Sequence, residues 1–331
     1  MNRSRLAATL AVALLLFSFQ SVSGLTLKIA TVTPEQSPWG QALNRMSAEL
    51  ARETNGSLRL QVFHNGIAGE EGDMLRKMRI GQLDGGVFTS VGLNKLADEV
   101  MTLSVPLLIR DDGELDFVFG ELRDRLAAAA QRNRFRVLAW SKAGWIRFFS
   151  ESRVETPADL KELTLAVSAE DAEVPQAFRL MGYQAVPMPS NELLTSLNSG
   201  VVDAFYASPI AAAGFQWFGA APYMLDLRIS PFLGGFVVSE RSWRRIPPDA
   251  RRALEQIVER EAEPLDSDVR ELEQRAIETM RSYDLEVVEL SEAQRERWFS
   301  EFEESAEVSV GRVFDRETYQ TIRALLRDYR R

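Results

Sequence analysis

The chain is 331 residues long, enough for two domains that each bury a core. Hydrophobic residues make up 45% and charged residues 26%, the balance of a soluble globular protein. The net charge of −9, with no basic block, argues against nucleic acid as a partner. The chain has no cysteine, which excludes disulfides, thiolate metal sites and cysteine nucleophiles.

The N-terminus reads as an export signal. Arg3 and Arg5 precede an apolar run from Leu6 to Phe19, and Val22-Ser23-Gly24 offers small residues for cleavage. A retained anchor is the rival, but a run of about fourteen apolar residues falls short of the roughly twenty that span a bilayer. Residues 1–24 are therefore read as a cleaved signal peptide, and the mature chain as periplasmic and not lipidated at a signal cysteine.

Leu25 to Val32 begins as an alternating strand and ends wholly apolar. A loop carrying Trp39 follows, then a helix over Ala42–Glu53 with Leu43, Met46 and Leu50 at helical spacing. Leu58, Leu60 and Val62 mark a second strand. Met74, Leu75 and Met78 mark a second helix closed by Gly81, and Gly85 to Thr89 a third strand. This β-α-β-α-β order predicts an open α/β sheet, whose ligands bind beyond the carboxyl ends of strands. The rule points at Val32-Thr33 and at Phe88-Thr89-Ser90.

After an alanine-rich helix ending at Arg132 and a strand Arg136–Trp140, a boundary falls near Lys142–Gly144. Gly144 to Pro209 repeats the β-α-β-α-β order, which suggests two α/β lobes around a cleft. Gly234–Ser239 reads as a strand returning to the first lobe. From Pro248 to Tyr283 a continuous apolar stripe spans ~50 Å at helical rise. It fits one kinked helix across both lobes, two helices broken at Pro264, or a dimerising coil.

The sole histidine, His64, lies in a Phe63-His64-Asn65-Gly66 turn and reads as a polar turn residue. The glycines match neither the P-loop nor the dinucleotide-binding spacing. Paired acids such as Glu70-Glu71 and Asp111-Asp112 sit where a helix start explains them. No catalytic or metal residue and no cofactor is expected.

Three motifs in order carry a resemblance: Thr156-Pro-Ala-Asp-Leu-Lys161, Val186-Pro-Met-Pro189 and Ser199-Gly-Val-Val-Asp203, with Gly81-Gln-Leu-Asp84 before them. With these the chain resembles the DctP-type solute-binding proteins of TRAP (tripartite ATP-independent periplasmic) transporters. The resemblance covers essentially the mature chain. It implies a periplasmic-binding-protein-like α/β fold of two lobes joined by a long kinked helix. The lobes are expected at 25–141 plus about 227–265, and at 142–226 plus about 266–331. The implied partners are the small and large membrane subunits of the transporter. A variant branch adds a periplasmic tetratricopeptide-repeat protein.

The chain departs from the family where family members hold a carboxylate. The arginine of the strand after the Asp-Leu-Lys helix reads Ala166, and a second arginine position reads Ile146, with Arg147 adjacent. Family polar positions read Val32 and Thr89, and a frequent glutamate is replaced by Tyr206. Losing the orienting arginines while keeping apolar surface favours a hydrophobic or amphipathic solute. The expected ligand-binding set is Val32, Trp39, Phe88, Thr89, Trp145, Ile146, Ala166, Ser168, Phe205, Tyr206, Ser208 and Trp217. The alternatives are an organic-acid receptor anchored by Arg147 and a periplasmic scaffold that has lost transport. A two-lobed hydrolase is disfavoured by the lone histidine.

Overall fold

The computed structural model describes residues 24–170 and 173–331; apart from Gly24, the segment read as a signal peptide lies outside them. Strand β1 (Leu25–Thr31), helix α1 (Pro38–Glu53), β2 (Leu58–Phe63), α2 (Glu71–Ile80) and β3 (Gly85–Thr89) form the first α/β unit. Three short helical turns (Ser90–Asn94, Asp98–Met101 and Thr102–Ser104) precede α3 (Asp112–Arg132) and the 16-residue β4 (Phe135–Ser150). The second unit comprises β5 (Thr164–Ser168), α4 (Glu173–Leu180), β6 (Gln184–Met188), α5 (Ser190–Asn198) and β7 (Ala204–Ala207). Then come β8 (Tyr223–Leu225), β9 (Ser230–Ser239), α6 (Pro248–Ala262), α7 (Leu265–Arg281), β10 (Glu286–Val288), α8 (Glu292–Ala306) and α9 (Arg316–Tyr329).

Local chemistry accounts for these elements. Ser37 caps α1 by accepting from the Gly40 N–H, Pro38 occupies the first turn, and Leu43, Met46 and Leu50 are buried. Gly81, at φ 79°, closes α2 in the left-handed conformation that favours glycine. Thr156 and Asp159 form a reciprocal capping box with Pro157 in the first turn, the physical content of the Thr-Pro-Ala-Asp motif.

The strands run in the order β2-β1-β3-β9-β4-β7-β5-β6. The pairs β1–β2, β1–β3, β5–β6 and β5–β7 are parallel, whereas β9 and β4 insert antiparallel. Strand β4 serves both halves: it pairs with β9 from Phe135 to Ile146 and with β7 from Arg147 to Ser150. Its register shifts between Lys142 and Trp145, where Gly144 adopts φ 94°.

The two halves repeat one anchoring device. Asp84, before β3, accepts from the Lys28 N–H at 2.8 Å and donates its own N–H to the Lys28 carbonyl at 2.9 Å. Asp203, before β7, does the same with Thr164, at 2.8 and 3.0 Å. The aspartates of Gly-Gln-Leu-Asp84 and Gly-Val-Val-Asp203 thus pin the start of each strand to its parallel neighbour.

Helices cover both faces of each half. Leu27, Ile29, Met46, Leu254 and Ile257 share one core of the first half, and Met74, Leu115, Phe135 and Leu326 the other. Helices α6 and α7 form one long helix bent at Pro264, with Glu263 and Pro264 both in helical conformation. Proline supplies no N–H there, and its carbonyl accepts from Ser267 and Asp268 to restart the helix. Helix α6 packs on α1, and α7 crosses β4. Helix α9, assigned with the second half, touches both halves: it packs on α3 and sinks Ile322 and Leu326 into a first-half core, while its Tyr319 joins a second-half core. Its apolar stripe does not specify which half receives it.

Candidate functional site

A cavity of about 210 Å³ opens between the halves. Strand β4 contributes Ile146, β5 contributes Ala166 and Ser168, and β7 contributes Phe205 and Tyr206, with Ser208 and Trp217 beyond it. Seven of the twelve predicted site residues therefore line one space. Among the described residues, none of those lining it is charged.

The other five lie elsewhere for clear reasons. Trp39 is buried in the first-half core, with its indole against the Gly234 backbone. Phe88 points into the core beside Met74, and Val32 packs against that same core. Thr89 caps the turn Ser90–Asn94 by accepting from Val91 N–H, so its neighbour Ser90 reaches the cavity instead. Trp145 lies on the face of β4 opposite Ile146; its Nε1 donates to Asp112 at 2.9 Å and Arg228 stacks over its ring.

The same alternation decides the position of Arg147. It points with Trp145 toward α7, where its guanidinium sits 3.5 Å from Asp226 and 3.8 Å from Glu273. Burial pushes Arg147 down and Glu273 up, each toward its neutral form, against the attraction between them. Arg147 does not line the cavity.

The cavity also takes Ser90, at which the strand-end rule points, and Asn94, Ser104, Met188, Ser190 and Phe232, which the sequence reading did not include. Met188 and Ser190 follow from the strand-end rule, since they end β6 and start α5. Asn94, Ser104 and Phe232 sit on short turns and an antiparallel strand, where period and motif carry no such signal.

Its aromatic wall is ordered. Phe205 stacks on Phe149 with ring centroids 4.7 Å apart and meets Trp217 edge-on at 5.6 Å. Phe215 stacks over Trp217 at 4.8 Å, and Tyr206 packs edge-on against Phe178. On the first-half side, buried Glu71 lies beneath the turn that supplies Ser90 and Val91. It accepts from the Thr89 N–H at 2.8 Å, the Thr89 hydroxyl at 3.1 Å and the Gly92 N–H at 2.6 Å. Burial outweighs these bonds and pushes its pKa up to about 7. Just beyond the turn, the Lys95 ammonium bonds the Glu170 carbonyl of the second half.

Two α/β halves joined by shared strands and a long bent helix, around a cavity whose described lining carries no charge, have the architecture of a solute-binding protein. The chain belongs to the bacterial extracellular solute-binding proteins, family 7 (DctP), whose profile matches residues 29–310. A solute-binding protein of Chromohalobacter salexigens is 30% identical over 174 residues, a match spanning 52% of each chain. The 2,3-diketo-L-gulonate-binding periplasmic protein YiaO of Escherichia coli is 27% identical over 278 residues, 82% of this chain and 83% of that one. The TRAP periplasmic solute-binding protein of Xanthobacter autotrophicus Py2, solved with β-D-galacturonate, superposes with a TM-score of 0.79 at 22% identity. That superposition covers 90% of this chain and 98% of the other, and it establishes the shared fold. The protein is a binding protein and not an enzyme.

Proposed function

We propose that this protein is the extracytoplasmic receptor of a TRAP-type transporter and holds a small hydrophobic or amphipathic solute in the cavity. In this reading it is exported with loss of its leader, carries no lipid, and delivers solute to the small and large membrane subunits. A periplasmic tetratricopeptide-repeat protein is its accessory partner. The proposed lobes are 25–141 with about 227–265, and 142–226 with about 266–331, the closing helix α9 contacting both. Lobe closure on the solute is the working motion.

One observation carries the solute class: among the described residues no charged side chain lines the cavity, whose wall includes Ile146 and Ala166. A carboxylate brought there without a partner loses several kcal/mol of hydration. An apolar body gains about 25 cal/mol for each Å² it buries. At about 210 Å³ the space lies below the ~300 Å³ usual for drug-sized ligands, so the solute is small and not a long acyl chain.

A second reading, an organic-acid receptor, is favoured by the relatives: one is named for 2,3-diketo-L-gulonate and another holds galacturonate. Here the acid would need serine hydroxyls and the first turn of α5 in place of arginine. Arg147 would be free to serve only if β4 shifted register by one residue.

Tryptophan fluorescence separates the two readings, because Trp217 lines the cavity. Indole and benzyl alcohol, used as small apolar probes, should shift the emission saturably in the wild type and not in Trp217→Phe. Galacturonate and glucuronate should give no saturable change. A saturable response to either sugar acid, with none to the apolar probes, would reverse the assignment.

A further inference from the structure

The chain is acidic overall, yet six arginines converge on one depression of about 1040 Å³ at the base of the first half: Arg79, Arg132, Arg134, Arg136, Arg241 and Arg244. It lies at the opposite end of the strands from the solute cavity, where Phe135 of β4 pairs with Ser239 of β9. The last turn of α2, the turn between α3 and β4, and the helical turn after β9 supply its walls.

The arginines are poorly neutralised. Glu240 is the sole carboxylate among the described lining residues, shared by Arg136 at 3.0 Å and Arg244 at 3.8 Å. Arg132 pairs outside the depression with Glu99. Among the described residues no carboxylate pairs with Arg79, Arg134 or Arg241, and Arg79 stacks over the Phe135 ring. Clustered like charges repel, so a surface gathers them at a cost unless an anion offsets it.

Two backbone features keep them together. Arg134 holds φ 66°, a left-handed conformation in which glycine or asparagine would be the undemanding choice. Gly81 leaves room for Arg241, whose Nη1 lies 2.7 Å from where a side chain at position 81 would begin.

We propose that this depression binds a multivalent phosphate-bearing anion, whether free or as a lipid headgroup. Planar guanidinium forks donate paired N–H bonds to phosphate oxygens, and the concave site presents several forks to one ligand. The site is independent of the solute cavity.

Isothermal titration with pyrophosphate, and cosedimentation with phosphatidylglycerol against phosphatidylcholine vesicles, test it on the mature chain. Pyrophosphate binding, or selective sedimentation with phosphatidylglycerol, should weaken more than tenfold between about 20 and about 200 mM salt. The first result assigns a free phosphate compound and the second alone a headgroup. Arg134→Gly/Arg241→Gln should lose at least tenfold in either assay while thermal unfolding and the tryptophan response to cavity probes stay unchanged. Arg79→Gln/Arg241→Gln, which leaves the strained backbone untouched, should show the same loss. Absence of binding in both assays at low salt, or binding that both double variants retain, overturns the proposal.

Discussion

Two buried charges set the energetics around the cavity, and they act in opposite ways. Glu71 titrates about where neutral solution lies, because burial disfavours its ionised form more than three hydrogen bonds favour it. Its folded pKa, about 7, exceeds the model-compound value of 4.5, so between those values the folded chain binds a proton that the unfolded chain has released. The contribution is thus most favourable at low pH and is lost as pH rises through about 7. From the size of that difference, stability should fall by on the order of 3 kcal/mol between about pH 4.5 and pH 8 through this group alone. Urea unfolding across that range should show the slope in the wild type and lack it in Glu71→Gln. An identical slope in both proteins would place the titration elsewhere. Arg147 is the second charge. Arg147→Met strands Glu273 and should cost about 3 kcal/mol, and adding Glu273→Gln should restore most of it. The fluorescence response to the apolar cavity probes should not change in either variant, since Arg147 does not line the cavity.

At the scale of elements, β4 and the bent helix explain how two units become one molecule. Gly144 sits at the register shift of β4, and Glu273 Oε2 of α7 lies 2.5 Å from where a Cβ would be built. Gly144→Ala therefore combines a left-handed backbone with a clash against the helix. It should destabilise by ~1–3 kcal/mol and lower the apparent affinity of cavity probes, as read by unfolding and by fluorescence. Glycine at this crossing and proline at 264 were visible in the sequence, but not which geometry they served. The stripe from Ala250 to Met280 was equally compatible with two helices or a coil. Burial of Leu254 and Ile257 in the first half, with Met280 in the second, resolves it as one bent helix.

Strands and helices were legible because period and capping residues are local signals. Leu43, Met46 and Leu50 announce α1, and Thr156-Pro-Ala-Asp announces its capping box. The site was legible where a strand end supplies the residue, as with Ile146, Ala166 and Phe205. It was illegible where one residue of register reverses a side chain, as at Trp145, or where a cap absorbs the expected residue, as at Thr89. Asn94, Ser104 and Phe232 come from segments whose approach to the cavity is a property of the folded chain.

For the whole molecule, the repeated aspartate anchors and strand-end turns place the cavity between two similar halves, with Ser90 and Ser208 at equivalent turns. The family framework is retained, and we propose that Ala166 and Ile146 of the cavity wall stand in place of acid-binding arginines. The class of solute turns on these two positions. Native mass spectrometry of gently purified protein, with release and identification of what it carries, tests it most directly. The wild-type protein should release a small uncharged or amphipathic molecule with an apolar body, displaced in Ala166→Arg. A stoichiometric sugar acid in the wild-type protein would contradict it.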